Sequence, residues 1–200
     1  MKHSTLAVLT IGFLLASCKP VDTTGVNPQT TKVPEGNPNA AVVVQEYSDL
    51  ECPACGAAYT LTVKPFLAKY KDKVRFEFVQ FPLSIHEYAF EAAVASECAA
   101  DQGKFWAFVD KDYINQKDLS SSQLRTWAGD LSLNMDLFER CMNSGLKDKI
   151  VQNEYNGGIQ KGVQGTPTFF VNGKVLESNT LDALTKAVDD ALKGSGSMPL

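Results

Sequence analysis

Two cysteines three positions apart, Cys52 and Cys55, are the residues of this 200-residue chain best suited to chemistry. Pro53 follows the first of them and favours the first turn of a helix, where its missing N–H has no partner to lose. A thiol at a helix N-terminus faces free backbone N–H groups, which stabilise the thiolate and lower the pKa. Cys55 would lie one turn along the same helix face, within reach of a disulfide with Cys52. The spacing predicts a redox-active pair.

A permanent disulfide and half of a zinc site are the other functions that this spacing allows. Structural zinc takes four nitrogen or sulfur ligands, commonly from two closely spaced pairs. The sequence has five cysteines and two histidines, but it has no second Cys-x-x-Cys and no closely spaced histidine pair. We therefore expect no metal and no other bound cofactor.

The segments around the cysteine pair have the patterns of a β-α-β unit. Residues 41–47 are rich in β-branched side chains, and residues 74–81 alternate apolar with polar side chains. Pro65 should kink or split the helix between them. Two strands joined in this way are expected to be parallel, and such sheets bind ligands beyond the carboxyl ends of the strands, where Cys52 would lie.

Residues 84–161 repeat apolar side chains at helical spacing, with helix caps expected at Ser120 and Asn134. Several short helices in a row imply an inserted helical subdomain. Asn172-Gly173, between two apolar runs, then predicts a hairpin.

The last helix should begin near Ser178 or Asn179 and end the folded domain at about residue 193. The predicted domain covers residues 40–193, and residues 194–200 are expected to form a flexible tail.

The N-terminus has the features of an export signal. The apolar run at residues 6–15 is shorter than the roughly 20 residues that span a bilayer. It ends in Leu15-Ala16-Ser17-Cys18, which resembles the bacterial lipobox. We therefore expect residues 1–17 to be a lipoprotein signal peptide and Cys18 to carry a lipid anchor; an ordinary secretory signal is the alternative. Either signal would export the protein to an oxidising compartment.

Composition indicates the domain organisation of the chain and one class of partner that it excludes. Residues 18–39 are rich in Pro, Thr, Asn and Gly, which predicts a flexible tether between the membrane and the domain. The whole chain is 44% hydrophobic with a net charge of −4, which fits one globular domain. No cluster of basic residues is interleaved with aromatic ones, so we expect no nucleic-acid partner.

Cys98 and Cys141 are expected to form a structural disulfide. Both lie on apolar faces of the predicted helical insertion, and assigning Cys18 to a lipid leaves four cysteines to pair. Two buried free thiols are the alternative.

Four stretches of this sequence resemble the DsbA-like branch of the thioredoxin superfamily. They are residues 47–56 with Cys-Pro-Ala-Cys, Phe81-Pro82-Leu83 with His86, residues 102–106 with Gln-Gly-Lys-Phe-Trp, and residues 162–173 with Gly-Thr-Pro-Thr-Phe-Phe. The resemblance covers about residues 41–193. It implies an α/β thioredoxin fold, with a helical domain inserted between the β-α-β half and the closing β-hairpin and helix.

The resemblance also implies roles for three further residues. The peptide bond before Pro167 is expected to be cis and to lie against the cysteine pair, although a trans proline opening a strand is possible. Thr166 would offer its backbone to an extended substrate peptide. Glu46 occupies the position of a buried acid that relays a proton from Cys55, unless it is a solvent-facing acid at a sheet edge.

The direction of electron transfer stays open at this point. Ala54 stands where strong oxidants of the family often carry histidine, and the potential depends on how far the reduced form is stabilised. A disulfide-introducing oxidase is favoured over a reductase or isomerase, and over a lipid-anchored binding protein without redox activity. Its expected partners are exported proteins that contain thiols or disulfides, an unidentified redox partner, and the membrane through Cys18.

Overall fold

A five-stranded mixed β-sheet forms the centre of the protein, seen in a computed structural model that describes residues 20–195. Its strands are β1 (Glu35–Gly36), β2 (Val42–Ser48), β3 (Val74–Gln80), β4 (Thr168–Val171) and β5 (Lys174–Val175). They lie in the order β1-β3-β2-β4-β5. Strands β2 and β3 are parallel, and the other neighbouring pairs are antiparallel. The predicted β-α-β unit is confirmed.

The connection between β2 and β3 consists of three successive helical segments. These are α1 (Pro53–Ala58), a π-helical turn (Tyr59–Val63) and α2 (Lys64–Tyr70). Pro65 falls in the first turn of α2, where a residue without an N–H is tolerated. The interruption expected at Pro65 is the π-helical turn that ends just before α2. The backbone stays helical on both sides of it.

Five helices follow β3 and form the predicted helical insertion. They are α3 (Ala89–Ala100), α4 (Phe105–Ile114), α5 (Ser121–Asp130), α6 (Met135–Asn143) and α7 (Leu146–Gln160). The side chains of Ser120 and Asn134 each accept a hydrogen bond from the backbone N–H three residues later, so both expected caps are present. Between residues 20 and 195, no helix combines the length and apolar character needed to cross a bilayer.

Strands β4 and β5 form the expected hairpin, followed by α8 (Leu181–Ser195). Asn172 and Gly173 have φ values of 46° and 78°, as an Asn-Gly hairpin turn requires. We expected this helix to begin near Ser178 or Asn179, which is slightly too early. It begins at Leu181, and the Thr180 hydroxyl caps it. Helix α8 also includes the first two residues of the predicted tail; residues 196–200 lie outside the described part.

Residues 22–36, which we call the N-terminal strap, contact the helical insertion and the sheet. Val26 is buried, and Lys32 Nζ lies 2.9 Å from Glu97 Oε1 and 2.6 Å from Glu154 Oε2. The strap ends in β1, which pairs with β3. The prediction of a flexible tether over residues 18–39 is therefore wrong for the strap. Its composition did not indicate these contacts, because their partners are distant in sequence.

Candidate functional site

Cys52 lies at the point where the chain leaves β2 and enters the helix. It is the N-cap residue of α1, with extended backbone angles of φ −74° and ψ 120°. Its carbonyl oxygen accepts the N–H groups of Cys55 and Gly56 at 3.0 and 3.1 Å. The Cys52 side chain keeps a small exposure of 7%, whereas Cys55 is fully buried. Cys52 is therefore the less buried thiol of the pair.

The surroundings of the Cys52 sulfur stabilise its thiolate. A hydrogen bond from the Cys55 thiol is the main influence that lowers the pKa of Cys52 to about 5, and burial opposes it. The Thr166 side chain and the backbone N–H groups of Ala54 and Cys55 lower the pKa further. Cys52 is consequently ionised at neutral pH when the pair is reduced.

The Thr166–Pro167 peptide bond is cis and lies beside the cysteine pair. The Cys52 thiol donates to the carbonyl oxygen of Thr166 at 3.7 Å. The two residues that the resemblance associated with substrate binding thus border the less buried cysteine of the pair.

Cys55 has the opposite properties to Cys52. Burial raises the pKa of the Cys55 thiol, and its hydrogen bond to Cys52 raises it further. The backbone N–H of Asp49 donates to Cys55 Sγ at 3.5 Å, and the Ser48 hydroxyl also favours the Cys55 thiolate, but burial outweighs both. Cys55 therefore holds its proton at neutral pH.

Glu46 is fully buried in β2, which is an interior strand of the sheet. Burial raises the pKa of Glu46 to about 8, although a hydrogen bond from Ser48 lowers it in part. Ser48 Oγ donates to Glu46 Oε1 at 3.0 Å and lies 2.9 Å from the hydroxyl oxygen of Tyr113. The Ser48 hydroxyl also lowers the pKa of Cys55, so Ser48 influences both the buried acid and the buried thiol.

Asp49 and His86 form a second polar contact next to the pair. His86 Nδ1 lies 2.7 Å from Asp49 Oδ2, and the buried Asp49 carboxylate also accepts the backbone N–H groups of Glu51 and Leu83. Burial on its own would lower the pKa of His86, but the hydrogen bond and charge of Asp49 outweigh it, so the pKa is raised. This contact fastens the loop after β3 to the loop that carries Cys52.

Several of these neighbours were not assigned a role from the sequence. Ser48 and Asp49 belong to the motif around the pair, but only the structure gives their side chains partners. Tyr113 and Gln116 come from the helical insertion, and no sequence signal connects them to Cys52. Gln116 donates to the carbonyl oxygen of Cys52.

The other predicted site residues lie away from Cys52 or outside the described chain. Cys98 and Cys141 are bonded through their sulfurs and connect α3 with α6. Cys18 and the predicted signal peptide, residues 1–17, lie outside the described residues. Within residues 20–195, no group of three or more His, Cys, Asp or Glu side chains is arranged to hold a metal ion.

A known protein family matches most of the chain. The sequence model of a family described as "Thioredoxin" matches residues 29–190. The matched region begins within the N-terminal strap and includes both cysteines of the pair.

The curated relatives are longer proteins. The Na(+)/H(+) antiporter NhaA 1 of Salinispora arenicola is 36% identical over 166 residues, which are 82% of this chain and 25% of that protein. NhaA 3 of Salinispora tropica is 35% identical over the same length, with the same coverage. The chain thus spans about a quarter of the length of these relatives, and the antiporter name belongs to the whole proteins.

Solved structures share the fold. BdbD from Bacillus subtilis superposes with a TM-score of 0.74 at 23% identity, covering 83% of this chain and 97% of that one. A thioredoxin-like oxidoreductase from Silicibacter pomeroyi gives 0.68 at 25% identity, covering 86% and 97%. The thiol-disulfide exchange protein alpha-DsbA2 from Wolbachia pipientis gives 0.71 at 20% identity, covering 80% and 87%. The predicted fold, with its helical insertion, is confirmed.

Proposed function

The chain belongs to the thioredoxin family and has the fold of its DsbA-like members, and from this premise we propose that it introduces disulfide bonds into exported proteins. The observation that carries the proposal is the asymmetry of the pair. Cys52 keeps a small exposed fraction and has a pKa of about 5, whereas Cys55 is fully buried and its pKa is raised. A cysteine that is stable as a thiolate favours the reduced pair, which makes the disulfide form an oxidant.

The oxidising reaction proceeds in two exchange steps. A substrate thiolate attacks Cys52 Sγ, the Cys52–Cys55 bond breaks, and Cys55 leaves as a thiolate. A second substrate thiolate then attacks the substrate sulfur that is bonded to Cys52, and Cys52 leaves as a stable thiolate. The substrate loses two electrons to the pair, and a redox partner must later remove them. A reductase would run the same steps in reverse.

Glu46 and Ser48 supply the proton that these steps require. Cys55 leaves as a thiolate in a buried site where the thiol is strongly favoured, so it must be protonated. Glu46, with a pKa of about 8, carries a proton at neutral pH. Ser48, which is hydrogen-bonded to Glu46, passes the proton to Cys55, and Glu46 regains it when Cys55 loses its proton during reoxidation of the pair. In the reducing direction the proton moves from Cys55 to Glu46.

Substrate recognition uses the surface around Cys52. The backbone of Thr166 would pair with an extended peptide and place its cysteine over Cys52. An open groove of about 440 Å³ begins at Ala54 and includes Leu61, whose side chain is 69% exposed. Apolar surface on the helix that begins at the redox pair suits unfolded polypeptides, which have no fixed shape to complement.

We further propose that the protein acts at the cell envelope, attached through a lipid on Cys18. Several acyl chains provide stable attachment where a single chain would not. The protein should partition with membranes, and Cys18→Ala should release it or leave it unprocessed. An intact mass with an unmodified N-terminus at a residue other than Cys18 would contradict the anchor.

Disulfide transfer to a reduced, unfolded ribonuclease tests the main proposal. The oxidised protein should convert substrate thiols to disulfides stoichiometrically, with the Cys52–Cys55 pair becoming reduced. Cys52→Ser is the matched control and should transfer nothing. Efficient reduction of insulin without transfer to ribonuclease would indicate a reductase, and inactivity in both assays would favour a binding protein.

A further inference from the structure

One side chain of the helical insertion reaches the backbone that holds Cys52. Gln116 begins the short 3₁₀ turn Gln116–Asp118 between α4 and α5. Its Nε2 donates to the carbonyl oxygen of Leu50 at 2.6 Å and to that of Cys52 at 3.0 Å. A side-chain amide has two N–H groups, one for each carbonyl. The insertion is therefore tied directly to the turn that carries the reactive thiol.

The carbonyl of Cys52 is also part of the first turn of α1. It accepts the N–H groups of Cys55 and Gly56, while the N–H groups of Ala54 and Cys55 act on the Cys52 sulfur. The orientation of this one peptide unit thus affects how the N–H groups face the thiolate. Gln116 holds that peptide unit from outside the helix.

Gly56 leaves space for the Gln116 side chain to approach helix α1. A Cβ at Gly56 would lie 2.9 Å from Gln116 Oε1, which is closer than real side chains come, and 3.5 Å from a ring carbon of Tyr113. Gly56 has no positive φ that would require glycine, and glycine inside a helix is less stable than alanine. Glycine at this position therefore leaves space for the Gln116 amide as it stands in the structure.

We propose that Gln116 is a positioning residue for exchange at Cys52, and that Gly56 is the small residue that admits it. This inference rests on the proposed function. By holding the carbonyls of Leu50 and Cys52, the Gln116 amide keeps the N–H groups of the first helical turn directed at the sulfur. This arrangement stabilises the reduced pair relative to the disulfide.

Gln116→Met tests the role of the two donors, because methionine has a similar length and cannot donate. The pKa of Cys52, read from the ultraviolet absorbance of the thiolate, should rise by roughly 0.5 to 1, which corresponds to one hydrogen bond. The potential of the pair should become more reducing. Gln160→Met, the same change at an exposed position of α7, should alter neither value. An unaltered pKa in a folded Gln116→Met protein would overturn the proposal.

A second experiment tests the contact with Gly56. In the parent protein, Gly56→Ala should displace the Gln116 amide, raise the pKa of Cys52 and lower the unfolding temperature. In a Gln116→Ala background the added methyl group has room, so the same change should raise the unfolding temperature, because alanine favours helices. A shift of the same sign in both backgrounds would contradict the proposed contact.

These measurements are separable from the proposed function because they need no substrate. If the parent transfers no disulfides but Gln116→Met still raises the pKa of Cys52, the proposed function fails and the positioning role stands. If the parent transfers disulfides and neither variant alters the pKa, the function stands and the positioning role fails.

Discussion

The Cys52 thiol and the carbonyl oxygen of Thr166 lie 3.7 Å apart, although 114 positions separate them in the sequence. The residue before Pro167 therefore borders the exposed side of Cys52, and Cys55 lies buried behind it. A sulfur that approaches along the Thr166 backbone meets Cys52 first. This relationship assigns different roles to two chemically identical side chains.

The first prediction follows from that asymmetry. Cys55→Ser should accumulate mixed disulfides between Cys52 and a cysteine-containing peptide, because the resolving thiol is missing. Cys52→Ser should form none, since Cys55 is inaccessible. Mass spectrometry of the trapped and digested complexes identifies the linked cysteine. Complexes linked through Cys55 would reverse the assignment.

The second prediction concerns Glu46, whose pKa burial raises from 4.5 to about 8. Between these values the unfolded chain has released a proton that the folded protein retains, so the stability of the parent should fall as the pH rises through this range. Glu46→Gln removes this dependence and should be more stable at pH 8, by up to roughly 4 kcal/mol.

The same Glu46→Gln variant should exchange disulfides roughly 10²-fold more slowly, because the proton donor is lost. Urea unfolding at pH 5 and pH 8, together with the transfer assay, measures both effects. A stability difference that is the same at both pH values would show that Glu46 does not titrate as described.

Third, the Cys98–Cys141 bond should stabilise the insertion without affecting the redox site. Its sequence separation is 43 residues, and for a loop of this size the chain-entropy model assigns about 4 kcal/mol. The Cys98→Ala/Cys141→Ala double variant should lose about that much in urea unfolding and keep the parent pKa of Cys52. Two free thiols at these positions in aerobically purified parent protein would refute the bond.

Fourth, Lys32 should hold the N-terminal strap in place. Its ammonium lies within ion-pair distance of Glu97, whose side chain is fully buried, and of Glu154, whose side chain is 20% exposed. Lys32→Met should cost about 3 kcal/mol, because it leaves a buried charge without its partner. Lys186→Met is the control, since its ion pair with Asp190 is 80% and 54% exposed, and it should leave the stability nearly unchanged. Equal losses in the two variants would show that the Lys32 ion pairs contribute no more than an exposed pair does.

The parts of this protein that could be read from sequence are those whose signal is local. Cys52 and Cys55 lie beside a proline that favours a helix start, and Asn172-Gly173 determines its own turn. The helical insertion follows from repeated apolar spacing. In each case neighbouring residues contain the necessary information.

The parts that were missed depend on contacts between distant residues. The strap has few apolar side chains, and Lys32 meets its partners 65 or more positions later only after folding. Gln116 and Tyr113 reach the redox site from the insertion, and neither residue type is characteristic of such a site. Glu46 was identified only through the family resemblance, and its burial depends on the order of the strands.

The most direct test of the central claim is the equilibrium potential of the Cys52–Cys55 pair in glutathione buffers from pH 4 to pH 8. We expect a potential above about −200 mV at pH 7, in the range of oxidising family members. Cys52 has a pKa of about 5 and Cys55 stays protonated. As the pH rises from 4 to 5, the potential should therefore fall by about 59 mV per pH unit. Above pH 5 the slope should be about 30 mV, because reduction then takes up one proton instead of two. A potential below about −250 mV, or the steeper slope up to pH 8, would contradict an oxidase that works through a Cys52 thiolate.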